Sequence, residues 1–480
     1  MKPVTADHLS TNADNPPQRK AHGALASLAL ATLLASLGAS VASVGLPVLA
    51  QAFDASFQLV QWVVLAYLLA ITTLIVSLGR LGDLIGRRKL LLAGIALFTL
   101  ASALCGLAPS LWLLIAARAL QGVGAAIMMT LTLALVGETV DKARTGSAMG
   151  LLATLSAVGT ALGPSLGGIL ISGFGWQALF LINVPLGLLT LLLAWRFLPA
   201  GYPAQKTGRV GFDGLGTLLL AFTLGAYALA MTLGRGSFGA LNIGLLLAAV
   251  LSGGWFVRTQ KRLASPLIPL PMFRDRLLVS GLATSALVAA IMMATLLVGP
   301  FYLAIALGLP PTTVGLVLAA GPCVAALAGM PAGRLTDRFG VRLMRLVGLT
   351  TLMFGCLLLS LVPPALGIAG YAAAIVVTTL GYAMFQTANN TSVMAELPAH
   401  QRGAIAGLLN LSRNLGFLTG ASVLGAVFAS ALPTNGIGAT TPETAAHGLH
   451  VTFAIALAMA GLALLIALKY RDPEPSSQRQ

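Results

Sequence analysis

Charge is what this 480-residue chain lacks most: only 9% of it is Asp, Glu, Lys or Arg, against 57% hydrophobic residues. A soluble domain carries roughly 25% charged residues, so a water-exposed globule of this size has too little polar surface to cover it. Acids are scarcest, 13 against 28 Lys and Arg, and the net charge is +15. In a soluble chain that balance points to nucleic acid, but here the basic residues sit in short connections between apolar runs and form no face interleaved with aromatics, which excludes that partner. The three cysteines, Cys105, Cys323 and Cys356, lie inside apolar runs at spacings that fit neither a zinc site nor a disulfide framework, so they read as small core residues. No lysine follows a glycine, which excludes an ATP-binding phosphate loop ending in Gly-Lys-Ser/Thr. No His-Glu-x-x-His run exists, and the five histidines lie outside the membrane core, so neither a metal-dependent enzyme nor a histidine proton relay is expected. The class that remains is a membrane protein that is not an enzyme, with no bound cofactor or metal.

What the chain has is apolar length. A helix rising about 1.5 Å per residue needs roughly 20 apolar residues to cross a core of about 30 Å. Fourteen such runs can be drawn, at 23–53, 58–79, 90–108, 111–137, 146–171, 177–198, 213–233, 241–259, 277–305, 311–332, 344–362, 366–392, 402–431 and 449–469. The first follows a tail containing Arg19-Lys20 and is too long, without a small-residue cleavage site, to be a removable signal. Lys and Arg gather on the cytoplasmic side of short loops. With the N-terminus inside, every basic residue except Arg118, Arg413 and Arg235 falls in a cytoplasmic segment. The expected fold is therefore an all-α integral membrane protein of 14 transmembrane helices, multi-pass, with both termini cytoplasmic.

A repeat organises the spans. Gly79-Arg-Leu-Gly-Asp83-Leu-Ile-Gly86 returns as Gly333-Arg-Leu-Thr-Asp337-Arg-Phe-Gly340, eight expected helices later. An even separation means a parallel repeat, with halves related by an axis along the membrane normal. Two six-helix pseudo-repeats follow, at 23–198 and 261–470, joined by a linker at 199–260 with two inserted helices and flanked by polar tails at 1–22 and 471–480.

The motifs resemble those of the major facilitator superfamily. Gly79 to Lys89 resembles its loop between spans 2 and 3, and Arg118-Ala-Leu-Gln121-Gly122-Val-Gly124 its span 4 motif. Gly159-Thr-Ala-Leu-Gly163-Pro164-Ser-Leu-Gly167-Gly168 resembles its antiporter motif. The runs beginning at Trp62, Phe180 and Asn410 resemble its fourteen-span drug:proton antiporter branch, and the likeness extends from about Leu33 to Leu468. The resemblance implies a monomeric efflux transporter of a small-molecule substrate in the lipid bilayer, working by alternating access and coupled to the proton motive force. It also implies that Gly79, Asp83, Gly86, Arg87, Arg88, Gly333, Asp337 and Gly340 gate the change of state.

The residues carry physical readings of their own. Asp83 is expected near the start of span 3, where the positive end of a helix dipole favours a carboxylate and its basic neighbours can bond to helix ends. The alternative is that Arg87, Arg88 and Lys89 only set topology. Gly159, Gly163 and Gly167, spaced by four, make one smooth helix face for close packing, beside a kink at Pro164. Arg118 and Arg413 lie within spans, where an ionised side chain costs about 2.5 to 3.5 kcal/mol on insertion scales, so both are expected to face the transport cavity. For each the alternative is a structural tie to backbone.

One position departs from the branch. Where such antiporters carry an aspartate in span 1, this chain has Gly38, and no carboxylate is placed at mid-membrane. An unbalanced positive site favours anionic or neutral cargo over lipophilic cations and leaves the proton carrier open. The small Gly38 suggests room for a side chain there. Polar candidates for the substrate or coupling pathway are Arg118, Gln121, Arg413, Asn410, Tyr67, Ser40, Ser43 and Asn389, each also readable as an interhelical tie. A transporter-like receptor is the rival class, although no soluble output domain appears in the sequence.

Overall fold

The computed structural model describes residues 16–139, 145–199, 213–233, 239–263, 270–394, 399–432 and 440–469. The helices are α1 (Pro16–Ala52), α2 (Trp62–Ile85), α3 (Arg87–Gly106), α4 (Leu111–Thr139), α5 (Thr145–Phe174), α6 (Asn183–Phe197), α7 (Gly214–Thr232) and α8 (Ala240–Arg262). They continue as α9 (Arg276–Phe301), α10 (Pro311–Phe339), α11 (Val341–Leu361), α12 (Gly367–Met394), α13 (Ala399–Thr419) and α14 (Pro442–Lys469). Among the described residues, twelve helices are long and apolar enough to cross a membrane. The other two long helices are α5, which carries Pro164, and α13, which passes through a π-helical turn at Gly420–Leu424 into Gly425–Ser430.

Helix is the form that hydrocarbon imposes, because a span must satisfy its own backbone N–H and C=O groups. The hydroxyls inside the spans follow the same rule. Thr72, Thr190 and Thr232 each donate to the carbonyl four residues back, at 2.6, 2.7 and 2.8 Å, so they add no unpaired polar group. The outer surface is apolar: Leu107, Trp112, Phe174 and Leu327 are all exposed, as a lipid-facing belt requires.

Packing sorts most helices into two sets. In the first, α1 lies along α5, with Ser36 and Ser156 hydroxyls 2.8 Å apart, while α4 packs against both α2 and α3. In the second, α12 packs against α10 and α11, α9 against α13, and α11 against α14. The sets meet where α5 crosses α10, α1 meets α9, and α2 meets α13. Helices α7 and α8 form a pair beside this seam. Asp213 caps α7 by accepting from the Gly216 amide at 2.7 Å and holds α8 by accepting from Gln260 at 2.6 Å; such a cap stabilises by about 1 kcal/mol. From α7, Thr217 bonds Ser77 of α2 at 2.6 Å and Tyr227 reaches Thr419 of α13, so the pair touches both sets.

Two expectations change. Helix α2 runs through Gly79 and Asp83 to Ile85, so Asp83 sits in the last turn of α2 rather than near the start of the next helix. The break falls at Gly86, which takes φ +96° while its amide still bonds the Gly82 carbonyl at 2.9 Å. A residue with a Cβ resists that φ, so the turn is placed by the glycine and not by the charges before it. The repeat copies this: α10 carries Asp337, exposed, through to Phe339 and turns at Gly340 with φ +84°. The Asp83 side chain lies outside the described residues. Of the cysteines, Cys105 and Cys356 are buried but Cys323 is exposed, because α10 turns that face outward.

Candidate translocation site

Five helices converge on Arg118. Helix α4 places it inside the first set, fully buried, with Nε donating to the Val63 carbonyl of α2 at 2.9 Å. Nη1 donates to the Gly38 carbonyl of α1 at 3.0 Å and to Gln121 Oε1 one turn further along α4. The guanidinium carbon lies 4.2 Å from the centroid of Tyr67 and 5.8 Å from that of Phe180, at the entry to α6. Gln121 Nε2 donates to Ser102 Oγ of α3 at 2.7 Å, and Tyr67 donates to the Ala35 carbonyl at 2.8 Å. Nη2 has no hydrogen-bond partner among the described residues.

This geometry makes Arg118 a staple for the first set. Neutral carbonyls, an amide and an aromatic face hold the charge, so the network stores a positive charge in place of an ion pair. The expectation of an arginine facing an open cavity is corrected: the rings of Tyr67 and Phe180 and the crowding of α1, α2 and α3 enclose it. The expectation of room at Gly38 is corrected too. A Cβ there would stand 3.0 and 3.1 Å from the Phe98 ring and 3.4 Å from the Tyr67 hydroxyl.

Ser40 and Ser43 are buried ties as well. The Ser40 hydroxyl donates to carbonyls of its own helix and, at 3.3 Å, to Gly159 of α5; Ser43 donates to the Ser40 carbonyl at 2.6 Å. The glycine-rich run at 159–168 packs on two surfaces. Gly159, Gly163 and Gly167 face Leu33, Ser40 and Val44 of α1, leaving no space for a side chain. Gly168 and the Pro164 carbonyl face the other way, onto Pro311 and Gly315 of α10, where a Cβ at either glycine would overlap backbone. One helix thus binds its own set and forms the seam with the other.

The seam differs between its ends. At the end of the α5–α10 crossing, Phe57, Phe301 and Phe428 form an aromatic plug with centroids 4.9, 5.0 and 6.0 Å apart. Gln61, fully buried, projects toward Gly425, and neither of its amide atoms has a hydrogen-bond partner among the described residues. At the opposite end of α10, nothing among the described residues stands within 4 Å of where a Cβ would be at Gly329, Gly333 or Gly340.

The second set handles its polar groups differently. Arg413 is half-buried and donates to Asn410 of its own helix at 2.7 Å, while Asn389 is buried and donates to the Gly281 carbonyl of α9 at 3.1 Å. Arg118 and Arg413 share no partner. In the first turn of α3, Arg88 donates to the Trp195 carbonyl in the last turn of α6 at 2.7 Å, where the dipole of α6 favours a cation; Arg87 is half-buried beside it. Sequence reasoning missed Arg345, a fully buried arginine of α11 that donates to the Ala467 carbonyl of α14 at 3.3 Å. Its place at a span edge made it look like one more topology charge.

Two helix sets meeting at a glycine-tight seam, with buried polar networks inside, define a polytopic membrane carrier. The family model of the Major Facilitator Superfamily matches residues 28–421, and the chain belongs to that family of transporters. The multidrug efflux pump LfrA of Mycolicibacterium smegmatis is 33% identical over 415 residues, covering 86% of this chain and 82% of that protein. The riboflavin transporter RibZ of Clostridioides difficile is 30% identical over 413 residues, covering 85% of this chain and 88% of that one. Among solved structures, a bacterial homolog to the human lysosomal transporter Spinster, inward-facing and unoccupied, matches with a TM-score of 0.68 at 18% identity, covering 95% of this chain and 99% of that one. At that identity the likeness concerns the fold alone.

Proposed function

We propose that this chain exports small molecules across the bacterial inner membrane by alternating access, in exchange for protons and driven by the proton motive force. In this reading α5 and α13 complete fourteen spans, six-helix halves at 23–198 and 261–470 rock about the α5–α10 seam, and both termini are cytoplasmic. The observation that carries it is the unequal seam: backbones in contact and an aromatic plug at one end, open glycine positions on α10 at the other. Such a bundle gives access from one side and opens to the other by pivoting. Relatives of both kinds, a multidrug efflux pump and a riboflavin transporter, support transport of small molecules and leave drug and metabolite cargo as the two arms of the test. Arg413 and Asn410, half-buried, are assigned to the wall of the path; Arg118, Gln121, Tyr67, Ser40, Ser43 and Asn389 shape it from behind.

A second reading has its own observation. At Gly38, where the resembled branch carries an acid, only a backbone carbonyl meets Arg118. That favours anionic or neutral cargo moved without an embedded carboxylate. Uptake into proteoliposomes, with and without an imposed pH gradient, against cationic, neutral and anionic compounds decides between the two. Gradient-dependent uptake of cations supports the first reading, uptake confined to anions or neutral compounds the second, and binding without uptake overturns both in favour of a receptor. Gly315→Val, which pushes against the Pro164 carbonyl, should stop uptake in a chain that still inserts, whereas Gly329→Ala should not. Reporters fused near Gly234 and near Lys206 test the orientation, active outside at the first and inside at the second.

A further inference from the structure

Between α10 and α12 lies a groove with a volume of about 300 Å³, lined by apolar side chains that include Val324, Leu327, Ala328, Pro331, Leu380 and Met384. It opens onto the outer surface. Leu316 and Leu327 of α10 and Val376 and Leu380 of α12 are all exposed, Leu327 to 77%, and they continue the apolar belt along both helices. Leu327, Pro331, Arg334 and Arg338 are spaced by four, three and four residues, so the floor of the groove and the two arginines share one helical stripe. Both arginines are exposed, and among the described residues neither has a hydrogen bond or ion pair; Arg338 only rests 5.3 Å from the Phe339 ring.

We propose that this groove and its arginines bind a phospholipid with an anionic headgroup, one acyl chain lying along Leu327 and Leu380 and the phosphate on Arg334 and Arg338. A hydrocarbon recess in a membrane is filled by chain, and basic residues at the end of a span draw anionic headgroups. The charge selects the lipid and the recess fixes its place. The proposal needs only that these helices lie in a bilayer, so it stands or falls apart from the export reading.

The experiment is native mass spectrometry of the purified full chain, titrated with phosphatidylglycerol or phosphatidylcholine. The wild type should retain one phosphatidylglycerol in preference to phosphatidylcholine by about thirtyfold, the scale expected of two basic residues near a membrane surface. Arg334→Gln with Arg338→Gln should abolish the preference, and Arg334→Lys with Arg338→Lys should keep most of it. Leu380→Trp, which fills the recess, should weaken retention of both lipids. Equal retention of the two lipids by the wild type overturns the proposal, and that comparison does not depend on any variant folding. A preference that survives the double glutamine variant overturns it as well, and so does a dimer that Leu380→Trp dissolves, since that would give the groove to a second copy.

Discussion

Arg118 and Arg413 sit on motif helices of the two sets, and the protein treats them in opposite ways. Arg118 is fully buried, held by the Gly38 and Val63 carbonyls and Gln121 and roofed by Tyr67, whereas Arg413 is half-buried and bonded to Asn410. A charge tied to backbone on several helices fixes those helices to one another. A charge tied to a neighbour on its own helix leaves the helix free to move against others. The difference is one of the two sites and not of the whole sets, since Arg345 and Asn389 also bridge helices of the second set.

The largest effect expected of that contrast is in Arg118→Ala. It strands two buried carbonyls and the Gln121 side chain, each costing about 1 to 3 kcal/mol. Melting in detergent should fall sharply and transport should be lost; Arg118→Lys, with one point charge in place of a fork, should recover only part of either. A melting temperature unchanged in Arg118→Ala would show that Arg118 is no staple.

Next comes Gly38→Asp, which sets a carboxylate against Arg118. The Phe98 ring, 3.0 Å from the new Cβ, opposes it, so the single variant should be less stable than wild type by about 1 to 3 kcal/mol. Adding Phe98→Leu should restore stability and raise transport of monovalent cations while weakening that of anions. Loss of stability in the double variant equal to that in the single one would show that charge burial, not crowding, governs the site.

A smaller loss is expected from Gln121→Leu. It removes one acceptor from Arg118 and one donor from Ser102 but leaves both carbonyl bonds to the guanidinium, so stability should fall by about 1 to 2 kcal/mol, read from melting. Smallest is Arg413→Gln: stability should fall by no more than about 1 kcal/mol, as for one hydrogen bond within a helix, while the ratio of anionic to cationic transport shifts. A stability loss as large as that of Arg118→Ala would erase the contrast between the two sites.

Much of the architecture is legible in the residues alone. Apolar runs longer than 18 residues, the Lys and Arg bias and the repeated Gly-Arg-x-x-Asp loop each follow from how one segment meets lipid and water, and that is a property of the segment itself. The position of Asp83 is not legible in this way, because the end of α2 depends on which residue accepts φ +96°, and both Gly82 and Gly86 offer it. The same holds for Arg345, whose burial depends on α14 arriving from more than a hundred residues away to present the Ala467 carbonyl.

The residues alone place this protein in a bilayer as a long series of helices, show a duplicated motif, and put arginines within the spans and a glycine, Gly38, where the resembled branch carries an aspartate. What surrounds each arginine depends on the tertiary structure. A charged side chain in hydrocarbon must find partners, and whether they come from its own helix, as for Arg413, or chiefly from its neighbours, as for Arg118, is settled by which helices touch. The room at Gly38 was settled in the same way, by a phenylalanine sixty residues further along the chain whose ring lies 3.0 Å from where a Cβ would stand.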